Sequence, residues 1–293
     1  MERVAETIGA DVAQREQQQI DRAVQLDLQI TVGEPVRILY IQMDGTGVPV
    51  VKKEPVGRKG KLDGLPAHTR EVKLGCVFTQ TAWDKEGYAI RDPDATTYVG
   101  AIEAAEEFGK RLYVEGWNRG WSRAQKKVVI GDGAEWIWNL AGQHFPGAIQ
   151  IVDLYHARQH LWELARRLRP NDEAGQKRWM VIHQDLLDRG RIKKLTVALR
   201  SIRTDNPELA EKLRTEADYF QRNALRMRYP KFRRQHLFAG SGVIEAGCKT
   251  VVSSRLKQSG MFWTLRGANA ILALRCCHLN ARFEDYWEGR RAA

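Results

Sequence analysis

Cysteine is scarce in this chain of 293 residues: Cys76, Cys248, Cys276 and Cys277 are its four, and no two are spaced as Cys-x-x-Cys. That pattern excludes a disulfide scaffold and a cysteine-based zinc site, and leaves reduced core thiols. Long apolar runs are lacking as well. The longest near the carboxy-terminal end, residues 268–274, apolar but for Asn269, is far short of the ~20 residues that span a bilayer. No signal-peptide pattern opens the chain, so a cytosolic protein without a membrane partner is expected. No internal repeat or low-complexity tract is visible. Acid is in short supply relative to base: 36 Asp and Glu stand against 47 Lys and Arg, a formal charge of +11. That balance suits a partner rich in phosphate, and nucleic acid is the natural one.

What is present is enough apolar residue, 43% of the chain, for a sizeable core. Residues 1–34 carry Ile8, Val12, Ile20 and Val24 among Gln, Glu and Arg, an amphipathic helical spacing. The pattern then turns to strands at 36–44 and 70–79, with a shorter piece at 88–91, which together predict an antiparallel meander. Between the first two, residues 52–68 are rich in Lys, Arg, Gly and Pro and predict a mobile basic loop. A helix is expected over 95–117 from the spacing of Tyr98, Ile102, Ala105, Phe108 and Leu112. Then follow a strand at 127–132, a helix at 134–144 and a strand at 148–154. The order predicts an α/β fold, a mixed sheet flanked by helices. Residues 155–238 read as all-helical, broken near Pro170, Gly190 and Pro207. Gly240 and Gly242 mark a hinge, a helix should carry Glu245, and a last helix should run over 265–287.

Three acids stand in glycine-marked words: Asp44 in Met-Asp-Gly-Thr-Gly, Asp132 in Gly-Asp-Gly, and Glu245 in Gly-Val-Ile-Glu-Ala-Gly. Asp44 alone reads equally as a turn residue, Asp132 as a helix cap and Glu245 as a surface acid. As a pair at strand ends in one sheet, Asp44 and Asp132 would repel unless a cation lay between them, and a divalent metal answers that conflict. Lys249 and Arg255 follow Glu245 at helical spacing. His156 and His160 stand four apart on a helix, a spacing used by zinc sites, but no cysteine or zincin glutamate accompanies them.

These words in this order resemble the Asp-Asp-Glu transposases with a ribonuclease-H-like core, most of all the ISKra-type insertion-sequence transposases related to the Mutator-like group. The likeness is carried by residues 43–46, 129–134 with Trp136-Ile137-Trp138, 151–156, 242–245 and 255–263. It implies a ribonuclease-H-like mixed sheet interrupted by an all-α insertion domain. The divisions are an amino-terminal helical segment (1–35), a first part of the core (36–156), the helical insertion (157–238), and a core completion with the third acid and carboxy-terminal helices (239–293). Relatives usually carry DNA-binding modules ahead of the core, and this chain is expected to lack that region.

The resemblance further implies metal-dependent DNA strand cleavage and strand transfer. Asp44, Asp132 and Glu245 would hold two Mg²⁺ ions, replaceable by Mn²⁺, and His156 would orient or neutralise the scissile phosphate. Asp153-Leu154-Tyr155-His156 fits a short motif of that broader group. Double-stranded DNA, as element ends and target, is the implied partner. Lys249, Arg255, Lys257 and Trp263 beside the third acid, with Arg233 and Arg234, are the implied contacts. A homodimer or higher assembly would bring two ends together in a bacterial cytoplasm, at the nucleoid when bound to DNA. The competing reading is a catalytically silent DNA-binding remnant.

Overall fold

The computed structural model describes residues 2–25, 27–28, 32–55 and 67–291. Most of the basic stretch expected as a mobile loop, residues 56–66, lies outside the described residues.

A five-stranded mixed sheet forms the centre. Strand β1 (Val36–Pro49) pairs antiparallel with β2 (Thr69–Gln80), from Ile38 opposite Gln80 to Pro49 opposite Thr69. Two short strands, β3 (Ala82–Trp83) and β4 (Ala89–Ile90), form a separate hairpin. The third strand of the meander is β5 (Thr97–Ala101), antiparallel to β2. This corrects the sequence reading, which put the third strand at 88–91 and began a helix at 95. The apolar spacing of Tyr98 and Ile102 suits a helix, but β5 is an edge strand whose free backbone groups are met from elsewhere. The Asn280 side chain accepts from Tyr98 N and donates to Tyr98 O, while the Asn269 amide oxygen accepts from Ile102 N. Partners some 170 residues away are invisible to local periodicity.

Helix α2 (Ala105–Asn118) follows, then β6 (Ala124–Gly131), α3 (Glu135–His144) and β7 (Ile149–Val152). β6 pairs parallel to β1 and β7 parallel to β6, giving the order β5-β2-β1-β6-β7. The observed architecture is therefore α/β with a mixed sheet flanked by helices, compatible with a ribonuclease-H-like fold. The crossover helices α2 and α3 cover one face of the sheet and a later helical segment the other, which is why Ile38–Met43 of β1 are buried without alternation.

Residues alternate across the sheet. Gly75 meets Leu112 of α2 on one face, whereas Leu74 lies close to Gly247 on the other. Between β7 and Gly240 the chain is helical: α4 (Leu154–Leu168), α5 (Glu173–Asp188), α6 (Ile192–Ser201), α7 (Pro207–Arg222) and α8 (Tyr229–Arg233). The breaks fall where Pro170, Gly190 and Pro207 stand, and Asn206 caps α7 by accepting from Glu208 N and Leu209 N.

The rod that crosses the second face starts as α9 (Gly242–Gly247), loosens to a π-helix over Cys248–Ser253 and ends as α10 (Ser254–Leu256). The last helix, expected as one piece over 265–287, is two: α11 (Leu265–Leu279) and α12 (Phe283–Arg291). They part at Ala281, whose φ of 57° no helix continues through. The break lets Asn280 leave the helix and reach Tyr98. Helix α1 (Glu2–Val24) lies on α11, with Gly9 so close to the Ala270 carbonyl that a Cβ there would stand 2.0 Å from it. Among the described residues no helix is long and apolar enough to cross a membrane.

Candidate active site

Register puts the first two acids together. Gln42 of β1 stands opposite Ile130 of β6, the last matched pair of that parallel ladder. Asp44 lies two residues beyond Gln42 and Asp132 two beyond Ile130, so both emerge at the same sheet edge on the same face. It is the face crossed by α9, which supplies Glu245. All three acids line one cleft of about 370 Å³, together with Met43, Tyr155, His156, Gln159, Ser241 and Ile244. A roomier cleft of about 600 Å³ between α6 and α7 is lined by Arg200, Arg203 and Arg214. Two of those arginines are already paired, Arg200 with Asp218 and Arg214 with Glu211, and the cleft carries no comparable chemistry.

Two buried polar side chains fix the approach of α9. The Gln42 amide accepts from Ile244 N at 3.0 Å and donates to Gly240 O at 3.1 Å. Asp153, fully buried, caps α4 by accepting from His156 N at 2.6 Å, and its other oxygen accepts from Ser241 N. The acid of the Asp-x-x-His word is thus a bracket between two helix starts. Sequence reasoning missed Gln42, although an amide inside an apolar strand, two residues before Asp44 and on its face, was the available signal.

Asp44 accepts from Gly45 N at 2.7 Å and from the Cys248 thiol at 3.4 Å. Burial pushes its carboxyl above the ordinary range; these two bonds oppose the shift, and the charges of Asp132 and Glu245 add to it. Burial and the neighbouring Asp44 likewise push the Cys248 thiol up. Asp132 accepts from Ala134 N at 2.8 Å with one oxygen, so it closes the turn into α3 while facing the cleft. Glu245 is exposed and accepts from the Ser241 hydroxyl at 2.9 Å. Among the described residues no ion pair joins it to Lys249 or Arg255. Hard carboxylate oxygens that repel one another are a donor set suited to Mg²⁺. Among the described residues, however, no group of three or more His, Cys, Asp or Glu side chains is arranged to hold a metal ion.

His156 faces the cleft from the first turn of α4, and its Nε2 lies 3.2 Å from Nε2 of His160. Lys257 donates to the hydroxyl of Thr46, two residues past Asp44. Trp263 is half-buried; its indole N–H donates to Leu256 O at 3.1 Å, and its backbone bridges to Val50. Lys249, Arg255, Arg233 and Arg234 are exposed. Tyr155, 65% exposed at the cleft mouth, stands inside the Asp-x-x-His word without being singled out by it, and Tyr219, whose hydroxyl donates to Asp132 O at 2.8 Å, had no sequence signal of its own.

Comparison with protein-family models gives no match, and comparison with curated proteins gives none. Among solved structures the chain is similar to the Drosophila P element transposase strand transfer complex, at 11% identity and a TM-score of 0.27, over 92% of this chain and 69% of that one. A likeness that distant carries no inference about this chain.

Proposed function

We propose that this chain is a DNA strand-cleaving and strand-transferring enzyme of the Asp-Asp-Glu class, an ISKra-type insertion-sequence transposase. The observation that carries the reading is the shared cleft of Asp44, Asp132 and Glu245 at the edge where β1 and β6 end. Asp44, Asp132 and Glu245 would hold Mg²⁺, and Glu245 would do so by giving up its bond from Ser241. Bound there, divalent ions would polarise a phosphodiester and favour its in-line displacement by water or a DNA 3′-hydroxyl. Relief of repulsion among the three acids favours cation binding, because Asp44 is held above its ordinary range by burial and by its two companions.

Lys257 and the exposed Lys249, Arg255, Arg233 and Arg234 supply positive charge for the phosphate backbone. Residues 157–238 serve in this reading as an all-α insertion domain between the second and third acids, and a dimer or larger assembly joins two DNA ends.

That no three His, Cys, Asp or Glu side chains among the described residues are arranged to hold a metal ion favours a second reading, a catalytically silent DNA-binding remnant. One experiment separates the two. The purified chain is incubated with linear and nicked duplex carrying the element ends, with Mg²⁺, Mn²⁺ or EDTA. Cleavage or joining that requires the metal supports the enzyme; firm binding without either supports the silent protein.

A further inference from the structure

Behind the cleft runs a line of polar side chains that the carboxylate chemistry does not use. His156 Nε2 meets His160 Nε2 at 3.2 Å, and His160 Nδ1 meets Glu216 Oε2 at 2.7 Å. Glu216 in turn pairs with Lys212 at 2.6 Å through its other oxygen. The Glu216 side chain is only 2% exposed although it sits on α7, far from α4 in sequence. Tyr219 lies flat on His160, with ring centroids 4.2 Å apart and planes 17° off parallel, and its hydroxyl reaches the Asp132 carbonyl. The room for Tyr219 comes from Gly133: at φ 104° it takes a left-handed backbone, and a Cβ there would stand 2.5 Å from the tyrosine ring.

The chemistry of this line has a direction. Burial works against the charge on Glu216, but hydrogen bonds from His160 and Lys212 outweigh it and hold the carboxyl below its ordinary range. A carboxylate only accepts, so His160 must present Nδ1–H to it. Neutral His160 then has a lone pair at Nε2, which takes a hydrogen bond from His156 Nε2–H. His156 is left with an unprotonated Nδ1 that meets no hydrogen-bond partner among the described residues.

We infer that His160 and Glu216 are positioning residues that lock His156, at the wall of the cleft, in the tautomer whose free Nδ1 accepts a proton. In the phosphoryl-transfer reading, on which this consequence rests, the acceptor serves the attacking hydroxyl. As the nucleophile's oxygen bonds to phosphorus its O–H bond breaks, and the proton passes to Nδ1. The leaving 3′-oxygen departs with the electrons of its P–O bond. The imidazolium so formed is compensated through His160 by the Glu216 carboxylate. A buried acceptor behind a histidine fixes both its proton and its ring orientation.

The test uses ¹⁵N chemical shifts of the histidine rings in the full chain at about pH 8, above the ordinary histidine range. The expected result is Nδ1–H on His160 and Nε2–H on His156. In Glu216→Ala both rings should exchange tautomers, whereas Glu216→Gln, which keeps an acceptor oxygen, should retain the original pair. Cleavage by Glu216→Ala should fall on the order of 100-fold in kcat, with KM for DNA little changed. Nε2–H on His160 in the unaltered protein overturns the inference even if no variant folds. So does a tautomer exchange that leaves kcat intact. If the unaltered protein cleaves no DNA under any metal, the phosphoryl-transfer reading fails instead, while the ring shifts still decide whether His160 and Glu216 set the tautomer of His156.

Discussion

The Gln42 amide is bonded at both ends to the segment that leads into α9: it accepts from Ile244 N and donates to Gly240 O, with its own side chain fully buried. A residue two places before Asp44 thereby sets the height of the helix that brings Glu245 alongside. Replacing Gln42 with Leu leaves a buried N–H and a buried carbonyl unpaired, which costs about 1–3 kcal/mol for each such group. The expected outcome is a lower urea midpoint together with a loss of metal-dependent cleavage, while DNA affinity stays near that of the parent. An unchanged midpoint contradicts the clamp.

Asp44 supplies a pH prediction. Its folded carboxyl is raised above the ordinary 3.8, first by burial and then by its acidic neighbours. An acid raised on folding favours the folded state when protonated, so its contribution is full at low pH. That contribution is lost as pH climbs from the unfolded value through the raised folded one. At neutral pH without divalent metal, Asp44→Asn should therefore be more stable than the parent. The difference should vanish below about pH 3, where both forms of the parent are protonated. Adding Mg²⁺ should narrow the gap by stabilising the parent alone. Denaturant melts at several pH values, with and without metal, check all three statements.

Glu16 predicts a second pH effect in a different place. On α1 it meets Arg111 at 2.7 Å, within a group that also holds Glu103, Glu115 and Arg282. Burial, only partly offset by Arg111, raises its pKa from 4.5 to about 7, with Glu115 adding to the rise. Three acids around two arginines leave one charge in excess, and protonation of Glu16 removes it. Stability should fall as pH rises from about 4.5 to 7, by a total on the order of 1–3 kcal/mol. Glu16→Gln should flatten that slope. A parent whose unfolding midpoint does not move over this range excludes the arrangement.

The exposed cations predict a salt signature. Lys249→Ala, Arg255→Ala, Arg233→Ala and Arg234→Ala should each weaken binding to DNA of any sequence. Removing one phosphate-binding cation lowers the slope of log affinity against log salt by about 1. Titrations between low and moderate salt measure it. A variant whose slope equals the parent's removes that residue from the interface.

Much of the central sheet was legible in the sequence because its strands are apolar runs closed by glycine. β1, β2, β6 and β7 lie within a few residues of the predicted segments, and the breaks between α4, α5, α6 and α7 fall at the expected Pro and Gly residues. The edge strand β5 was not legible, since Asn269 and Asn280 satisfy its free backbone from α11 and its end. The same pairing splits the last helix, which periodicity alone ran straight through. In the candidate site, glycine neighbours drew attention to Asp44, Asp132 and Glu245. The groups that hold them in place, Gln42, Asp153 and Tyr219, act over spans of about 90 to 200 residues, and no local pattern announces such partners.

The most direct measurement of the central claim is cleavage of end-labelled duplex DNA in Mn²⁺ by Asp44→Asn, Asp132→Asn, Glu245→Gln and the three together, with DNA binding followed in parallel. Groups that act as one unit are not additive: each single change should remove about as much activity as the triple change, on the order of 1,000-fold or more, while binding persists. Cleavage at the parental rate by any one of the single variants contradicts a site built from these three acids.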